Sequence, residues 1–269
     1  MKHLSRELMV EPGAKIKLEK MDPEETHGVT KESAAEVLAK NHERLSLLQY
    51  QLYAEGRRAL LVVLQGIDAA GKDGTIGHVM SGLNPQGVTV TPFKVPEGAE
   101  KRHDYLWRVH NAIPEQGKIG IFNRSHYEDV LIVRVHGLAP KSEWSLRYQQ
   151  INDFERMLSE NHVRIVKLLL YIDKKEQAKR FRLRLEDPTK NWKFSAADVK
   201  EREYWDQYIE AYEDMLRKCS KEWAPWYVVP ANRKWFRNLA VSQIVVDALE
   251  SMHLKYPKPA ADLSAIQFE

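Results

Sequence analysis

Cysteine is nearly absent: Cys219 is the only one in 269 residues. An internal disulfide is thereby excluded, and a reducing intracellular compartment is expected. Long apolar runs are absent as well. The longest, "ALLVVL" at 59–64, is far short of the roughly 20 residues that cross a bilayer. No apolar stretch follows the first basic residues of "MKHLSRELMV", so neither a signal peptide nor a membrane partner is expected, and the cytoplasm is the expected location. Strong net charge is missing too. The formal charge is +3, with 43% hydrophobic and 29% charged residues, as in an ordinary globular chain.

Charge is instead concentrated locally. Between Arg164 and Lys193 there are ten basic residues and four acids, a local +6 that leaves −3 for the rest. A solvated helix face and a surface that grips a polyanion are both consistent with such a run.

Residues 1–30 are polar and punctuated by Pro and Gly, which points to an irregular N-terminal arm. In 31–56, Ala35, Leu38, Leu45, Leu48 and Leu52 recur at helical spacing, with Gly56 as a stop. The run "ALLVVLQ" (59–65) is short and apolar and ends at a glycine loop, the pattern of a strand buried on both faces. Similar runs follow at 88–93, 118–123, 164–172 and 226–231. Helical patterns separate them, at about 72–82, 98–112, 126–135, 142–160, 174–186, 198–219 and 235–253. Alternating strands and helices predict an α/β fold, a parallel five-stranded sheet with helices on both faces. No repeat or linker divides the chain. One domain over 1–269 is expected, with an N-terminal arm and helix at about 1–56 and a helical insert at about 174–196.

"GIDAAGKDGT" (66–75) lies between a predicted strand and a predicted helix, and Gly66, Gly71 and Lys72 complete the G-x-x-x-x-G-K pattern. Glycines let the backbone approach a phosphate closely. The loop amides and the helix dipole favour an anion, and Lys72 adds a mobile charge. Two features depart from the usual loop. Asp73 replaces the hydroxyl that usually follows the lysine and meets magnesium, and it suits a first helical turn as a cap. Thr75 stands two residues beyond that hydroxyl position. Asp68 adds an acid among anion donors. It can serve a magnesium ion, or hold an attacking phosphate through a shared proton or an arginine.

At the third strand end, "IFNRSHYEDVLIVRVHG" has neutral Asn123 where phosphate-loop enzymes commonly carry a metal-binding Asp. Arg124 sits in the crevice where open α/β sheets bind ligands, and Arg134 follows ten residues on. Glu128 and Asp129 restore the missing charge, or are merely acids of a helix start. His126, like His103, His110 and His136, fits a hydrogen-bonded supporting group better than a metal ligand.

In "KKEQAKRFRLRLEDPTKNWKF", Ala178, Phe181 and Leu185 form an apolar stripe, and Arg180 and Arg184 lie on roughly the opposite face. Pro188 ends this helix, Lys190 and Lys193 follow, and Ser195 caps the next. Two helices joined by a basic turn are the pattern of a kinase lid.

These residues resemble the family-2 polyphosphate kinases. The likeness lies in "GIDAAGKDGT", "FNRSHYEDVLIVRVHGL", "RFRLRLEDPTKNWKF" and "APWYVVPANRKWFRNLAVSQIV". With "LYAEGRRALLVVLQG" and "NPQGV" it covers roughly 45–255. The resemblance implies a P-loop kinase-like, thymidylate-kinase-like three-layer sandwich with a helical lid. It implies transfer from inorganic polyphosphate to adenine nucleotides, AMP to ADP and ADP to ATP, and "FNRSHYEDV" resembles the subgroup that takes both. It also implies magnesium, with manganese as substitute, and a homo-oligomer. Asp68, Lys72, Arg124, Asp129 and Arg184 would be catalytic, with Asp68 and Asp129 on the metal. Asn123, Arg124 and Glu128 would bind nucleotide. Gly66, Ala69, Ala70, Gly71, Lys72, Asp73, Gly74, Thr75, Lys94, Arg134, Arg180 and Lys193 would bind phosphate, with Arg102 a further candidate.

Two other functions compete. An ATP-dependent nucleoside monophosphate kinase shares loop and lid, but would call for a hydroxyl after Lys72 and fewer lid cations. A nucleic-acid or polyanion binder would need the basic segment but not Asp68, Glu128 and Asp129 beside a phosphate loop. No nucleic-acid partner is therefore expected.

Overall fold

Every residue of Ala59–Gln65 is buried, because this strand lies in the middle of a sheet with helices over both faces. The structure is a computed structural model and describes residues 3–259. Its strands are β1 (Ala59–Gln65), β2 (Val88–Pro92), β3 (Ile119–Asn123), β4 (Val163–Tyr171) and β5 (Trp226–Pro230), in the order β2-β3-β1-β4-β5. All four pairings are parallel. The described α-helices are α1 (Leu4–Leu8), α2 (Lys31–Glu55), α3 (Lys72–Val79), α4 (Trp107–His110), α5 (Ile132–Val135), α6 (Lys141–Glu160), α7 (Lys174–Glu186), α8 (Ala196–Glu201), α9 (Trp205–Cys219) and α10 (Lys234–Glu250).

Side-chain alternation divides the core into two layers. Leu60, Val62 and Leu64 of β1 pack with Leu45, Leu48 and Leu52 of α2 and with Phe236, Val241 and Val245 of α10. Ala59, Leu61 and Val63 pack instead with Ile151 and Leu158 of α6 and Tyr212 and Met215 of α9. The expected α/β sandwich is thus observed, and each strand lies within one residue of its expected limits. Local chemistry sets the helix ends. Thr30 and Ser33 form a capping box on α2, and Gly56 closes it with φ 63°.

Three expectations are corrected. The N-terminal arm is not simply irregular. Leu4, Leu8, Val10 and Leu18 are buried, and Val10 N–H donates to the Trp226 carbonyl at 2.8 Å, covering the outer edge of β5. The helices expected at 98–112 and 126–135 are broken. Residues Gly98–Arg102 and His126–Val130 form 3₁₀ turns, and only α4 and α5 are α-helical. In the latter case Leu131, at φ −106° and ψ −91°, interrupts the helical path. The helix expected at 198–219 begins earlier and is interrupted by a 3₁₀ turn at Arg202–Tyr204. Among the described residues, no helix is long and apolar enough to cross a membrane. The tail expected to be loop-like from 256 falls outside the described residues beyond 259.

Candidate active site

The chain leaves β1 for β2 at one edge, returns to β3 beside β1, and then crosses to β4 on the other side. This reversal opens a crevice beyond the carboxyl ends of β1 and β3. A cleft of about 830 Å³ lies there, within the range of small-molecule sites. Nine basic side chains line it (Lys72, Lys94, Arg124, Arg180, Arg184, Lys190, Lys193, Lys234 and Arg237), against the five acids Asp68, Asp73, Glu186, Asp187 and Asp198.

The loop between β1 and α3 forms the floor. Gly66, Ala69 and Gly71 take φ of 153°, 64° and 106°. Gly71 is required twice over. Its φ disfavours a side chain, and a Cβ there would land on Nη1 of Arg237. Lys72 is buried, and its Nζ donates to the Gly66 carbonyl at 2.6 Å. Burial, followed by the nearby Arg124, pushes its pKa down to about 8. Thr75 is buried with its hydroxyl turned back onto the Gly71 carbonyl at 3.1 Å, so that oxygen serves the helix start.

Asp73 links three parts of the site. It accepts from the Asn123 amide at 2.8 Å and pairs with Lys193 of the lid at 3.4 Å. Burial alone would raise its pKa, but Asn123 and Lys193 outweigh that and hold it below the usual carboxylate range. The acid does more than cap α3.

Arg124 has φ 64°, a left-handed conformation unusual for a non-glycine. Its N–H donates to the Leu64 carbonyl, which ties the start of this segment to β1. The guanidinium donates to Asp68 at 2.5 Å and to Glu128 at 3.3 Å. Burial opposes its charge, yet Glu128 and Asp68 outweigh burial and hold it protonated. Asp68, Arg124 and Glu128 thus form one ionic chain at the crevice.

Beneath this segment lies a fully buried network. Lys167 donates to Glu155 at 2.5 Å, to the Tyr127 hydroxyl at 2.9 Å and to the Cys219 carbonyl at 2.7 Å. Glu155 also receives the Tyr127 hydroxyl at 2.9 Å and contacts the His126 ring at 3.1 Å. Burial disfavours the Glu155 charge, but Lys167 and His126 prevail and keep its pKa below the ordinary value. His126 is therefore a supporting group, anchoring the turn between Arg124 and Glu128.

Other expected site residues lie elsewhere. Asp129 turns away from the cleft and pairs with Arg147 of α6 at 2.8 Å. Burial raises its pKa despite Arg147. Asp68 lines the cleft and Asp129 does not, so the expected metal pair does not share it. Arg134 is held by Asp214 at 2.8 Å and Glu210 at 2.5 Å, between α6 and α9 and off the cleft. Arg102 also does not line the cleft, whereas Lys94 and Arg184 do.

Arg180 reverses the face assigned to it. In α7 the buried residues are Gln177, Arg180 and Phe181, while Leu185 is exposed. Arg180 donates from Nε to Glu176 at 2.8 Å, and from Nη1 to the Ala69 and Ala70 carbonyls at 2.9 and 2.8 Å. Its Nη2 reaches the Ala231 and Asn232 carbonyls at 2.5 and 3.1 Å. All five donors of the guanidinium are occupied. Arg180 clamps the lid helix to the phosphate loop, and apolar periodicity could not reveal a polar group buried by carbonyls.

Lys234 and Arg237 were not singled out by sequence reasoning. A signal was available. "NRKWFRN" opens the helix after the fifth strand, at the ligand-binding end of a parallel sheet.

A metal fits the donor set near the loop. Asp68 and Asp73 both line the cleft beside the phosphate loop, and magnesium takes one or two carboxylates together with substrate phosphate oxygens. Among the described residues, no group of three or more His, Cys, Asp or Glu could hold a metal without such substrate oxygens.

The family model described as Polyphosphate kinase 2 (PPK2) matches residues 28–257. An AMP/ADP-polyphosphate phosphotransferase of Meiothermus ruber is 48% identical over 97% of this chain and 98% of its own. An ADP-polyphosphate phosphotransferase of Rhodopseudomonas palustris is 47% identical over 96% of this chain and 94% of its own. Among solved structures, a polyphosphate kinase 2 from Arthrobacter aurescens TC1 superposes with a TM-score of 0.94 at 46% identity, over 97% of this chain and 94% of that one.

Proposed function

This chain belongs to the polyphosphate kinase 2 family, and we propose that it transfers the terminal phosphoryl group of inorganic polyphosphate to AMP and ADP, reversibly and with a divalent metal. The observation that carries this reading is the cation track. Nine basic side chains line the cleft, and the eight other than the saturated Arg180 are more than one nucleotide phosphate group needs. The ATP-dependent alternative has no use for so long a track.

Phosphoryl transfer calls for alignment and charge neutralisation rather than covalent catalysis. The amides around Gly71 and the Lys72 ammonium cradle the donor end. Arg184, at the cleft wall, and Lys193 neutralise the transferring group from the lid. Asn123 and Arg124 orient the acceptor phosphate, with Arg124 held in place by Asp68 and Glu128. Asp68 and Asp73 are the proposed metal ligands, with magnesium the expected ion and manganese a substitute. When bound, the ion offsets charge on the phosphates being joined and separated. Lid closure over the cleft excludes water and so favours transfer over hydrolysis.

The single cysteine is buried and no described helix suits a membrane span. Both support a cytoplasmic enzyme. The exposed Leu47, Tyr50 and Tyr53 of α2 support a homo-oligomer. Light scattering in solution tests that assembly. The activity is tested with magnesium, polyphosphate and AMP in the absence of ATP. Formation of ADP and then ATP is expected, whereas phosphorylation only when ATP is supplied would favour the monophosphate-kinase reading.

A further inference from the structure

Three successive carbonyls of the phosphate loop face the helix α7. Arg180 holds those of Ala69 and Ala70 at 2.9 and 2.8 Å, and one turn earlier the Gln177 side-chain amide donates to that of Asp68 at 3.0 Å. Gln177 is 2% exposed and does not line the cleft. Its Oε1 accepts from Nη1 of Arg202 at 2.9 Å. Arg202 stands in the turn after α8, and the same nitrogen reaches the Lys174 carbonyl at 3.2 Å. Gln177 therefore ties both legs of the lid hairpin to the loop through the two ends of one amide. Only this orientation of the amide satisfies both neighbours, a carbonyl and a guanidinium.

In a trans peptide the C=O and the following N–H point in opposite directions. Carbonyls drawn toward α7 thus turn the N–H groups of Ala69, Ala70 and Gly71 away from it. That of Ala70 closes a turn on the Ile67 carbonyl at 3.0 Å, whereas those of Ala69 and Gly71 have no acceptor among the described residues. Successive backbone N–H groups turned to one side make an anion-binding concavity. The arrangement has a cost. Ala69 has φ 64°, a left-handed conformation that a side chain disfavours. Gln177 holds the peptide before this residue and Arg180 the peptide after it, so the strained residue is fixed from both sides.

We propose that Gln177, braced by Arg202, is a positioning residue that keeps Ala69 left-handed and so aims the loop amides at the donor phosphate. This rests on the donor-cradling role given to the loop above. Without that hold, Ala69 relaxes toward negative φ and the peptide before it turns. The binding-competent fraction then falls, and the apparent donor affinity falls in proportion.

The test compares Gln177→Met, Arg202→Met and Ala69→Gly, singly and combined, by steady-state kinetics. Gln177→Met is expected to raise KM for long-chain polyphosphate about 10-fold or more, with a smaller rise for AMP. Glycine enters the left-handed region without penalty. The loss caused by Gln177→Met is therefore at least about threefold smaller when Ala69→Gly is also present. Arg202→Met loosens the brace and causes a loss of the same kind but smaller. A merely structural Gln177 would affect both substrates alike, and Ala69→Gly would not relieve it. An equal loss in the two backgrounds overturns the proposal, as does an unchanged donor KM or an AMP KM that rises as much as the donor's. If Gln177→Met does not fold, Arg202→Met decides: a raised donor KM relieved by Ala69→Gly supports the proposal, and any other result refutes it. If the unaltered enzyme does not use polyphosphate at all, the proposed function fails separately. The positioning role is then judged with tripolyphosphate. Its stabilisation of the unaltered chain against heat must be reduced by Gln177→Met and partly regained on adding Ala69→Gly, and equal or absent stabilisation refutes the role.

Discussion

Asn123 donates its amide to Asp73 across 2.8 Å, so acid and neutral partner have changed places. A common phosphate-loop arrangement puts a hydroxyl after the loop lysine and an acid in the strand facing it. Here the acid is on the loop and the amide is on the strand. The pair keeps one carboxylate, now on the loop, while the strand end becomes neutral.

Asn123→Asp sets a second carboxylate against Asp73 and replaces a hydrogen bond with like-charge repulsion. Catalytic efficiency with AMP is expected to fall by about tenfold or more, equivalent to a coupling of about 1–2 kcal/mol. The exchanged pair Asp73→Asn with Asn123→Asp restores one acid and one amide, and recovers much of that loss. Steady-state kinetics of the two single variants and the double variant measure the coupling.

Lys72→Ala removes the charge at the loop and is expected to reduce kcat by about 10²–10³-fold or more. Near-normal turnover in a folded variant contradicts the loop assignment. In the free enzyme the Lys72 pKa is about 8, so kcat/KM for polyphosphate falls as pH rises beyond that value. Stability moves the other way. The folded pKa lies below the ordinary 10.5, so the unfolded chain binds more protons between the two values. The contribution of Lys72 to ligand-free stability therefore becomes more favourable as pH rises through that window. Denaturant titrations at several pH values check the sign.

Glu155→Gln leaves Lys167 charged in a fully buried site. A loss of about 3–5 kcal/mol is expected, as for other broken buried pairs. Replacing both partners, Glu155→Leu with Lys167→Met, recovers most of the stability. Failure of that recovery would mean that the network's hydrogen bonds to Tyr127 and Cys219 matter more than the charges.

Chelation of divalent ions abolishes transfer if the metal is held as proposed. Asp68→Asn raises the magnesium concentration needed for half-maximal rate. Asp129→Asn leaves that concentration nearly unchanged, because Asp129 faces Arg147 and not the cleft. Rate measured against magnesium concentration for the two variants distinguishes the carboxylates.

Much of the architecture was legible from local pattern. Short apolar or β-branched runs placed all five strands within a residue; four are largely buried, where little but apolar side chains is tolerated, whereas the edge strand β2 is mostly exposed and its run alternates valine with threonine. Gly56 and Pro188 marked helix ends for backbone reasons that need no tertiary information. The positions of the loop between β1 and α3 and of Arg124 at the end of β3 could likewise be read from spacing. The misread residues depend on who their partners are. Arg180 and Arg237 are both arginines on helices beside the phosphate loop, but carbonyls from two loops exhaust one and leave the other open. Asp129 and Asp73 are both acids in first helical turns, and only the packing of α6 decides which faces the cleft. Saturation of donors is a property of the assembled fold, so it has no sequence period.

The central claim is tested most directly by following labelled phosphate. The enzyme is given ³²P-labelled polyphosphate, unlabelled AMP and magnesium, with no ATP. Label is expected in the β-phosphate of ADP and then in the γ-phosphate of ATP, and to be lost with Lys72→Ala. Label that stays in polyphosphate or appears only as inorganic phosphate contradicts the account.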